Sequence, residues 1–262
     1  MRGKRTVLAV GSVLAFPLLA AAEGTPSWTG PYIGAFGGAA WSKASVGTEL
    51  DGLWDDPSDP SHIPDEMSLR PILNRGLDGA GAIGGIVIGH SWQFGNLVFG
   101  AEADFSGLGA DESRVEYNVS VVPVPQPYRA ETSSSIDWLA TLRARLGFAS
   151  GRSLVYVTGG VAVGEMDVQQ DLIQLNQLTV SYTQSASLGK TSIGWALGGG
   201  FEYVLSESWS VKLQYLHVDL GSHGTKSAGN CFFIPEFCAR YTGTHKVDIM
   251  LDTVTAGLNY RF

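Results

Sequence analysis

The feature that most constrains this chain is the spacing of its period-two segments. Apolar and polar residues alternate over eight stretches, roughly 31–42, 79–94, 97–106, 135–148, 153–164, 192–204, 209–218 and 247–262. Such alternation is the signature of strands with two unlike faces. The connections alternate in length. Gly95-Asn96, Ser150-Gly151-Arg152 and Ser206-Glu207-Ser208 mark three tight turns, whereas 43–78, 107–134, 165–191 and 219–246 are long. A compact soluble domain rarely holds four structureless loops of that size. No stretch beyond the N-terminus runs to the 18 apolar residues of a membrane helix. Glycine is abundant, 34 residues in 262, beside many β-branched and aromatic residues, which favours strands and turns over helices.

Short turns at one end, long loops at the other and an even strand count predict an all-β fold. The expected form is an eight-stranded antiparallel up-and-down transmembrane β-barrel with three short periplasmic turns and four long extracellular loops. Both termini then lie at the short-turn end. The faces agree. Trp138, Ala140, Leu142, Ala144, Leu146 and Phe148 share one face. Asp137, Thr141, Arg143, Arg145 and Gly147 share the other, with Leu139 as an apolar exception. Val254, Ala256, Leu258, Tyr260 and Phe262 alternate with Thr253, Thr255, Gly257, Asn259 and Arg261. Val211, Leu213, Tyr215 and His217 alternate with Lys212, Gln214, Leu216 and Val218. In a membrane barrel the apolar set meets lipid and the polar set points inward. Trp92 and Trp209 fall near tight turns, and Trp41, Trp138 and Trp195 near long loops, which places two aromatic girdles.

The N-terminus carries Arg2, Lys4 and Arg5, an apolar run from Val7 to Leu19, and Ala20-Ala21-Ala22. That order is read as a cleaved signal peptide over 1–22, followed by a single barrel domain over 23–262. Without those three basic residues, 14 basic groups face 25 acidic ones, a net charge of −11. Such a balance speaks against nucleic acid as a partner. Export also favours oxidation of the only two cysteines, so a Cys231–Cys238 disulfide is expected within the last outer loop.

Charges fall on the inward faces. Glu102 and Asp104 lie on the third segment, Arg143 and Arg145 on its neighbour, and Glu202 and Lys212 straddle the turn near residue 207. Eight strands enclose a lumen just wide enough to be filled by side chains. Buried charges must be paired, so these six residues are expected to form a structural ion-pair plug, across the third and fourth and across the sixth and seventh segments. The sharper alternative is a proton or ion relay.

The signals for chemistry are weak. His62, His90, His217, His223 and His245 show no metal-ligand spacing, and neither H-E-x-x-H nor C-x-x-C occurs. No G-x-S-x-G is present, and no serine–histidine pair is nominated. The first long interval carries Glu49, Asp51, Asp55, Asp56, Asp59, Asp65 and Glu66, without the spacing of a calcium hand, and reads as a solvated acidic loop. Val121 to Pro127, with three prolines, is expected to be an extended loop tip unable to pair regularly. No enzymatic activity, cofactor or metal is therefore expected.

Several segments resemble a known family: Trp28-Thr29-Gly30-Pro31-Tyr32-Ile33-Gly34, Gly84-Gly85 leading to Trp92-Gln93, and Leu142-Arg143-Ala144-Arg145-Leu146-Gly147. Tyr156 with Gly159-Gly160-Val161-Ala162, Gly198-Gly199-Gly200-Phe201-Glu202-Tyr203 and the end Gly257-Leu258-Asn259-Tyr260-Arg261-Phe262 extend the likeness over nearly the whole mature chain. Together they resemble the porin-family outer-membrane proteins of α-proteobacteria. These are small immunogenic and haemin-binding barrels related to the OmpA transmembrane domain. Pro31, Gln214 and the acidic first interval depart from the pattern. The resemblance implies an outer-membrane location. It implies a non-enzymatic role in envelope integrity and surface contacts, with a narrow pore or a haem or small-ligand receptor as the alternative and a membrane-embedded hydrolase behind both. Haem ligation by the loop histidines would follow only from the haemin-binding relatives. The implied partners are outer-membrane lipid and lipopolysaccharide, the outer-membrane assembly machinery, and host or surface ligands through the loops. The terminal aromatic strand, Phe262 with Tyr260 and Leu258, would be the assembly signal.

Overall fold

The computed structural model describes residues 26–55, 69–71, 73–74, 76–109, 112–120, 126–175, 180–231 and 235–262. The expected signal peptide lies outside the described residues. Among the described residues there are nine strands: β1 (Gly30–Gly52), β2 (Leu77–Phe94), β3 (Leu97–Leu108), β4 (Glu112–Ser120), β5 (Gln126–Ser150), β6 (Ser153–Leu175), β7 (Val180–Val204), β8 (Trp209–Asn230) and β9 (Tyr241–Arg261). All neighbours pair antiparallel. β1 pairs with both β2 and β9, and β3 pairs with β5. The sheet therefore closes into a ring of eight strands, and β4 continues the line of β3 along the outer part of β5. Closure leaves no edge strand in the membrane, where unpaired backbone groups would be costly.

The three tight turns stand where expected, with Gly95 and Gly151 at positive φ (60° and 58°), as turn glycines require. The eight expected segments correspond to β1, β2, β3 and β5–β9, but the strands are much longer. Most of the intervals expected as loops continue the ladder: β1 runs to Gly52, β6 to Leu175 and β8 to Asn230, and β9 starts at Tyr241. Gln126 and Pro127, expected to be unpaired, pair with Ser120 and Val119 at the end of their ladder, a position a proline tolerates.

The physical reason is an inversion of the face pattern at the outer membrane boundary. Below it, Leu142, Val157, Ile193, Leu213 and Val254 face outward and are exposed, and polar residues face the lumen. Above it, Met166, Val168 and Leu172 point inward while Asp167 and Gln169 point out, and Val247 and Ile249 are buried beside exposed Lys246. The outer half is thus built like a water-soluble barrel, and the inner half like a lipid-soluble one. Eleven further residues of β6 past the boundary (165–175) raise the rim by roughly 25 Å, at a rise of about 3.3 Å per residue and a tilt near 40°.

Two of the register shifts among the described residues change which face the side chains take. In β5 the register slips between Ile136 and Trp138. Asp137 is therefore exposed, a correction to its expected inward placement: one extra residue flips the parity of everything that precedes it. In β8 a slip between Asp219 and Ser222 surrounds Gly221, whose φ is 78°. There the β7–β8 ladder pauses, pairing Trp195 with Asp219 and resuming at Gln184 with Gly229.

The aromatic girdles are in place. Trp92, Phe94, Phe99, Trp209 and Phe262 are exposed near the tight turns, and Trp41 and Trp195 near the outer boundary. Trp138 stacks on Phe105 at 5.8 Å and donates Nε1–H to Glu165 at 2.6 Å.

Candidate functional site

The lumen is filled by five layers. At the periplasmic end Trp28 packs with Val98, Ala149, Leu154, Tyr156 and Val204. Its backbone N–H donates to the Gln93 side chain at 2.7 Å, and the Arg261 guanidinium lies 4.7 Å over its ring.

The second layer is ionic and holds all six inward charges read from the sequence. Arg143 contacts Asp104 at 2.5 Å and Glu102 at 3.7 Å. Arg145 contacts Glu102 at 3.4 Å and pairs closely with Glu202. Lys212 reaches Glu102 at 3.0 Å. The expected partner of Lys212 was Glu202, its neighbour in register, and here the expectation is corrected. Inward side chains in a narrow barrel meet across the lumen as readily as along the wall. Glu202 is instead satisfied by Arg145, by Ser210 (2.5 Å) and Asn259 (3.1 Å), with Arg261 at 3.8 Å. Two tyrosines complete the layer. Arg145 donates to the Tyr32 hydroxyl at 3.1 Å and lies 3.8 Å over the Tyr156 ring. Gly89 and Gly200 make room for these rings, since a Cβ at either position would strike a tyrosine hydroxyl.

Above the charges lies a cavity of about 20 Å³ bordered by Asp104, Arg143, Lys212 and Gln214, room for about one water-sized molecule. The third layer closes it from outside: Ala40, Ile83, Leu139, Met166, Leu216, Val218, Leu220, Ile249 and Leu251 are buried together. Leu139, Leu216 and Val218, the apolar exceptions on otherwise polar faces, belong to this dry layer.

The fourth layer is a directed hydrogen-bond chain around His245. Trp54 Nε1–H donates to Gln184 Oε1 at 3.3 Å, and Gln184 Nε2 to Ser227 Oγ at 2.9 Å. Ser227 Oγ lies 2.6 Å from His245 Nε2, and His245 Nδ1 lies 2.9 Å from Gln170 Oε1. The chain is consistent if neutral His245 carries its proton on Nδ1 and accepts from Ser227 on Nε2. Thr48 bridges to Gln170 at 2.9 Å, and Gln170 donates to the Leu73 carbonyl at 3.1 Å. The fifth layer caps the rim with Leu50, Leu53, Trp54, Leu69, Leu73, Tyr182 and Tyr241. A disulfide joins Cys231 and Cys238 beside it.

From the sequence His245 counts, with His62 and His223, only as an outer-loop histidine open to haem or metal ligation, and nothing there points to Trp54. Both lie in intervals read as loops, where the inward parity that would have flagged them was not applied. The remaining histidines are dispersed. His217 contacts Asp252 at 2.8 Å in the outer girdle, His90 packs on Trp92, His223 contacts the Leu220 carbonyl, and His62 lies outside the described residues. Of the acidic first interval, Glu49 and Asp51 stand on the outer face of β1, whereas Asp56, Asp59, Asp65 and Glu66 lie outside the described residues. Among the described residues no three His, Cys, Asp or Glu side chains gather in a metal-binding group.

Ser227, His245 and Gln170 have the spacing of a nucleophile, a base and its orienter. Ser227 is buried, however, its oxygen accepts from Gln184, and Trp54 and Tyr241 pack over the layer. The pair is held between Gln184 and Gln170 within the buried layer. It also makes the outer layer acid-sensitive. Burial holds the His245 pKa below the ordinary histidine value, so the folded state favours the neutral ring. Stability from this layer is complete above the unfolded value of about 6.5 and is lost as pH falls below it. Amides in 41–52 and 241–249 should have lower protection factors, corrected for the intrinsic pH dependence of exchange, at pH 5 than at pH 7, and His245→Gln should remove most of that difference. An unchanged pH response in His245→Gln would show that another group carries it.

A closed ring with a lipid-facing apolar belt, two aromatic girdles and a filled lumen defines a transmembrane barrel of the bacterial outer-membrane class. The sequence profile of the outer membrane protein beta-barrel domain matches residues 7–262, and the chain belongs to that family and resides in the outer membrane. It is 33% identical over 245 residues to the 31 kDa outer-membrane immunogenic protein of Brucella melitensis, covering 93% of this chain and 87% of that one. The 22 kDa outer membrane protein of Rhizobium leguminosarum is 27% identical over 53% of either chain. Among solved structures, the outer membrane protease OmpT of Escherichia coli aligns over 92% of this chain and 99% of its own, at 8% identity and a TM-score of 0.43.

Proposed function

We propose that the protein is a non-enzymatic outer-membrane barrel that contributes to envelope integrity and presents its raised rim for contacts at the cell surface. The observation that carries this reading is the filled lumen, in which one apolar layer separates the ionic layer from the polar one and further apolar and aromatic layers close both ends. An ion entering from either end meets a tightly packed layer made mainly of apolar and aromatic side chains, and desolvating it there costs several kcal/mol. The same layers weigh against a proton relay through Glu102 and Arg145. The test is conductance in planar bilayers: purified, refolded protein should give no steady channel. Regular unitary steps would overturn the reading in favour of a narrow pore. A stoichiometric Soret shift on haem titration would favour a receptor.

The partners on this reading are lipid and lipopolysaccharide along the wall and the assembly machinery at the C-terminal strand. The Phe262 side chain is exposed and packs edge-on to Tyr260 at 5.2 Å, and its N–H donates to the Pro31 carbonyl at 3.1 Å. As packing alone, Phe262→Ala should cost about 1–2 kcal/mol in detergent refolding. As an assembly signal it should also lower the heat-modifiable barrel in outer membranes far more than that loss accounts for. Normal membrane levels of Phe262→Ala would remove the signal role.

A further inference from the structure

The outer wall above the membrane carries a groove of about 400 Å³, lined by Ser113 of β4, Ser133 and Ser135 of β5, Asp167 and Gln169 of β6 and Ser187 of β7. The strand register creates it. Ser113, Ser133, Gln169 and Ser187 stand side by side on one rung, and Ser135, Asp167 and Gly189 on the next rung towards the membrane. These side chains are short, and Gly189 has none; a Cβ there would come within 2.5 Å of the Asp167 carboxylate. Larger groups wall both sides. Trp138 and Glu165 stand on the membrane side, hydrogen-bonded at 2.6 Å. The Arg129–Glu131 pair (2.6 Å) and Asp171, which accepts from Gln169 at 2.8 Å, stand on the other.

The lining side chains offer hydroxyls, one amide and one carboxylate, and the cation at the wall, Arg129, is paired with Glu131. A phosphate would be repelled, and an apolar chain would strand these polar groups. Vicinal hydroxyls of a neutral sugar match them, with Asp167 accepting from two at once, and the volume lies within the range of small-ligand sites. Position selects the source. Asp167 is two residues beyond Glu165, the rung of the girdle residue Trp138, or about 7 Å along the strand. The groove therefore stands just outside the outer aromatic girdle, on the side that faces the headgroups of the outer leaflet.

We propose that this groove binds neutral core sugars of lipopolysaccharide from the surrounding outer leaflet. The proposal rests on the outer-membrane reading of the fold and adds a site to it. The test uses refolded full-length barrel freed of lipid. Binding of complete-core lipopolysaccharide, of lipid A and of the detached core oligosaccharide is measured by native mass spectrometry. Wild type should bind complete-core lipopolysaccharide at least tenfold more tightly than lipid A, and should bind the detached oligosaccharide detectably. Gly189→Trp should abolish that preference without altering lipid A binding or heat-modifiable migration. If Gly189→Trp does not fold, Asp167→Asn serves, with the preference falling severalfold. Equal binding of complete-core lipopolysaccharide by wild type and variant, or of lipid A and complete-core lipopolysaccharide by wild type, overturns the site. Tighter binding of an unrelated neutral oligosaccharide overturns the source. Loss of outer-membrane fractionation in wild type would instead count against the fold's location.

Discussion

Arg145→Ala is expected to destabilise the barrel by about 3–5 kcal/mol, the cost of leaving buried charges without their partner. Arg145 is the hub of the ionic layer. It contacts Glu102 on one side and Glu202 on the other, and its guanidinium lies on the Tyr156 ring. Removing it leaves Glu202 with neutral donors and only the more distant Arg261, at 3.8 Å. Arg143→Ala should cost less, because Glu102 keeps Lys212 and Arg145, although Asp104 keeps only Thr141 (2.5 Å). Urea unfolding of both variants in detergent checks the order. Arg145→Ala unfolding within 1 kcal/mol of wild type would mean that water reaches these carboxylates and that the layer is not sealed.

Trp54→Ala should have an effect of similar size, about 3–5 kcal/mol, in a different place. Trp54 is 3% exposed, meets Tyr241 at 4.9 Å and Tyr182 at 5.8 Å edge-on, and donates to Gln184. Its loss opens a cavity in the cap and removes one of two donors from the end of the His245 chain, where Gln184 Oε1 keeps the Tyr182 hydroxyl at 2.7 Å. The membrane-embedded ring shares none of these contacts, so the loss should be local. Limited proteolysis should cut the outer extensions of the variant, while its heat-modifiable migration persists. Proteolysis indistinguishable from wild type would show that the rim does not depend on this cap.

The lipid-facing part of this fold was legible because its alternation is strong and of constant sign. Leu142, Leu146, Leu213 and Val254 mark their face without ambiguity, and Gly95 and Gly151 mark their turns. The ionic residues were legible for the same reason: a charge at inward parity in an otherwise apolar strand has few other places to go. Their partners were not legible. Lys212 and Glu102 are 110 positions apart and meet only through barrel closure. The outer half was misread as loops because its alternation persists with the opposite sign. Met166, Val168, Gln170 and Leu172 are as regular as any transmembrane run, but a search for apolar-outward strands rejects them. Bulges add a second obstacle. One extra residue at Asp137 or at Gly221 reverses parity, and neither position carries a local signal strong enough to announce it. His245 and Ser227 come together only because two such strands lie side by side in register.

The continuation of the strands past the membrane decides what another molecule can recognise there. Lys226, Thr244 and Glu49 lie on one rung of the outer wall, although they are far apart along the chain. An antibody footprint on this wall collects single residues from successive strands, and a peptide copied from any one strand offers only every second residue of it. Epitopes on the rim are therefore conformational by construction: they exist when the ring is closed and vanish when it unfolds. Sequence drift at one exposed position changes one point of such a footprint and leaves its rigid frame intact.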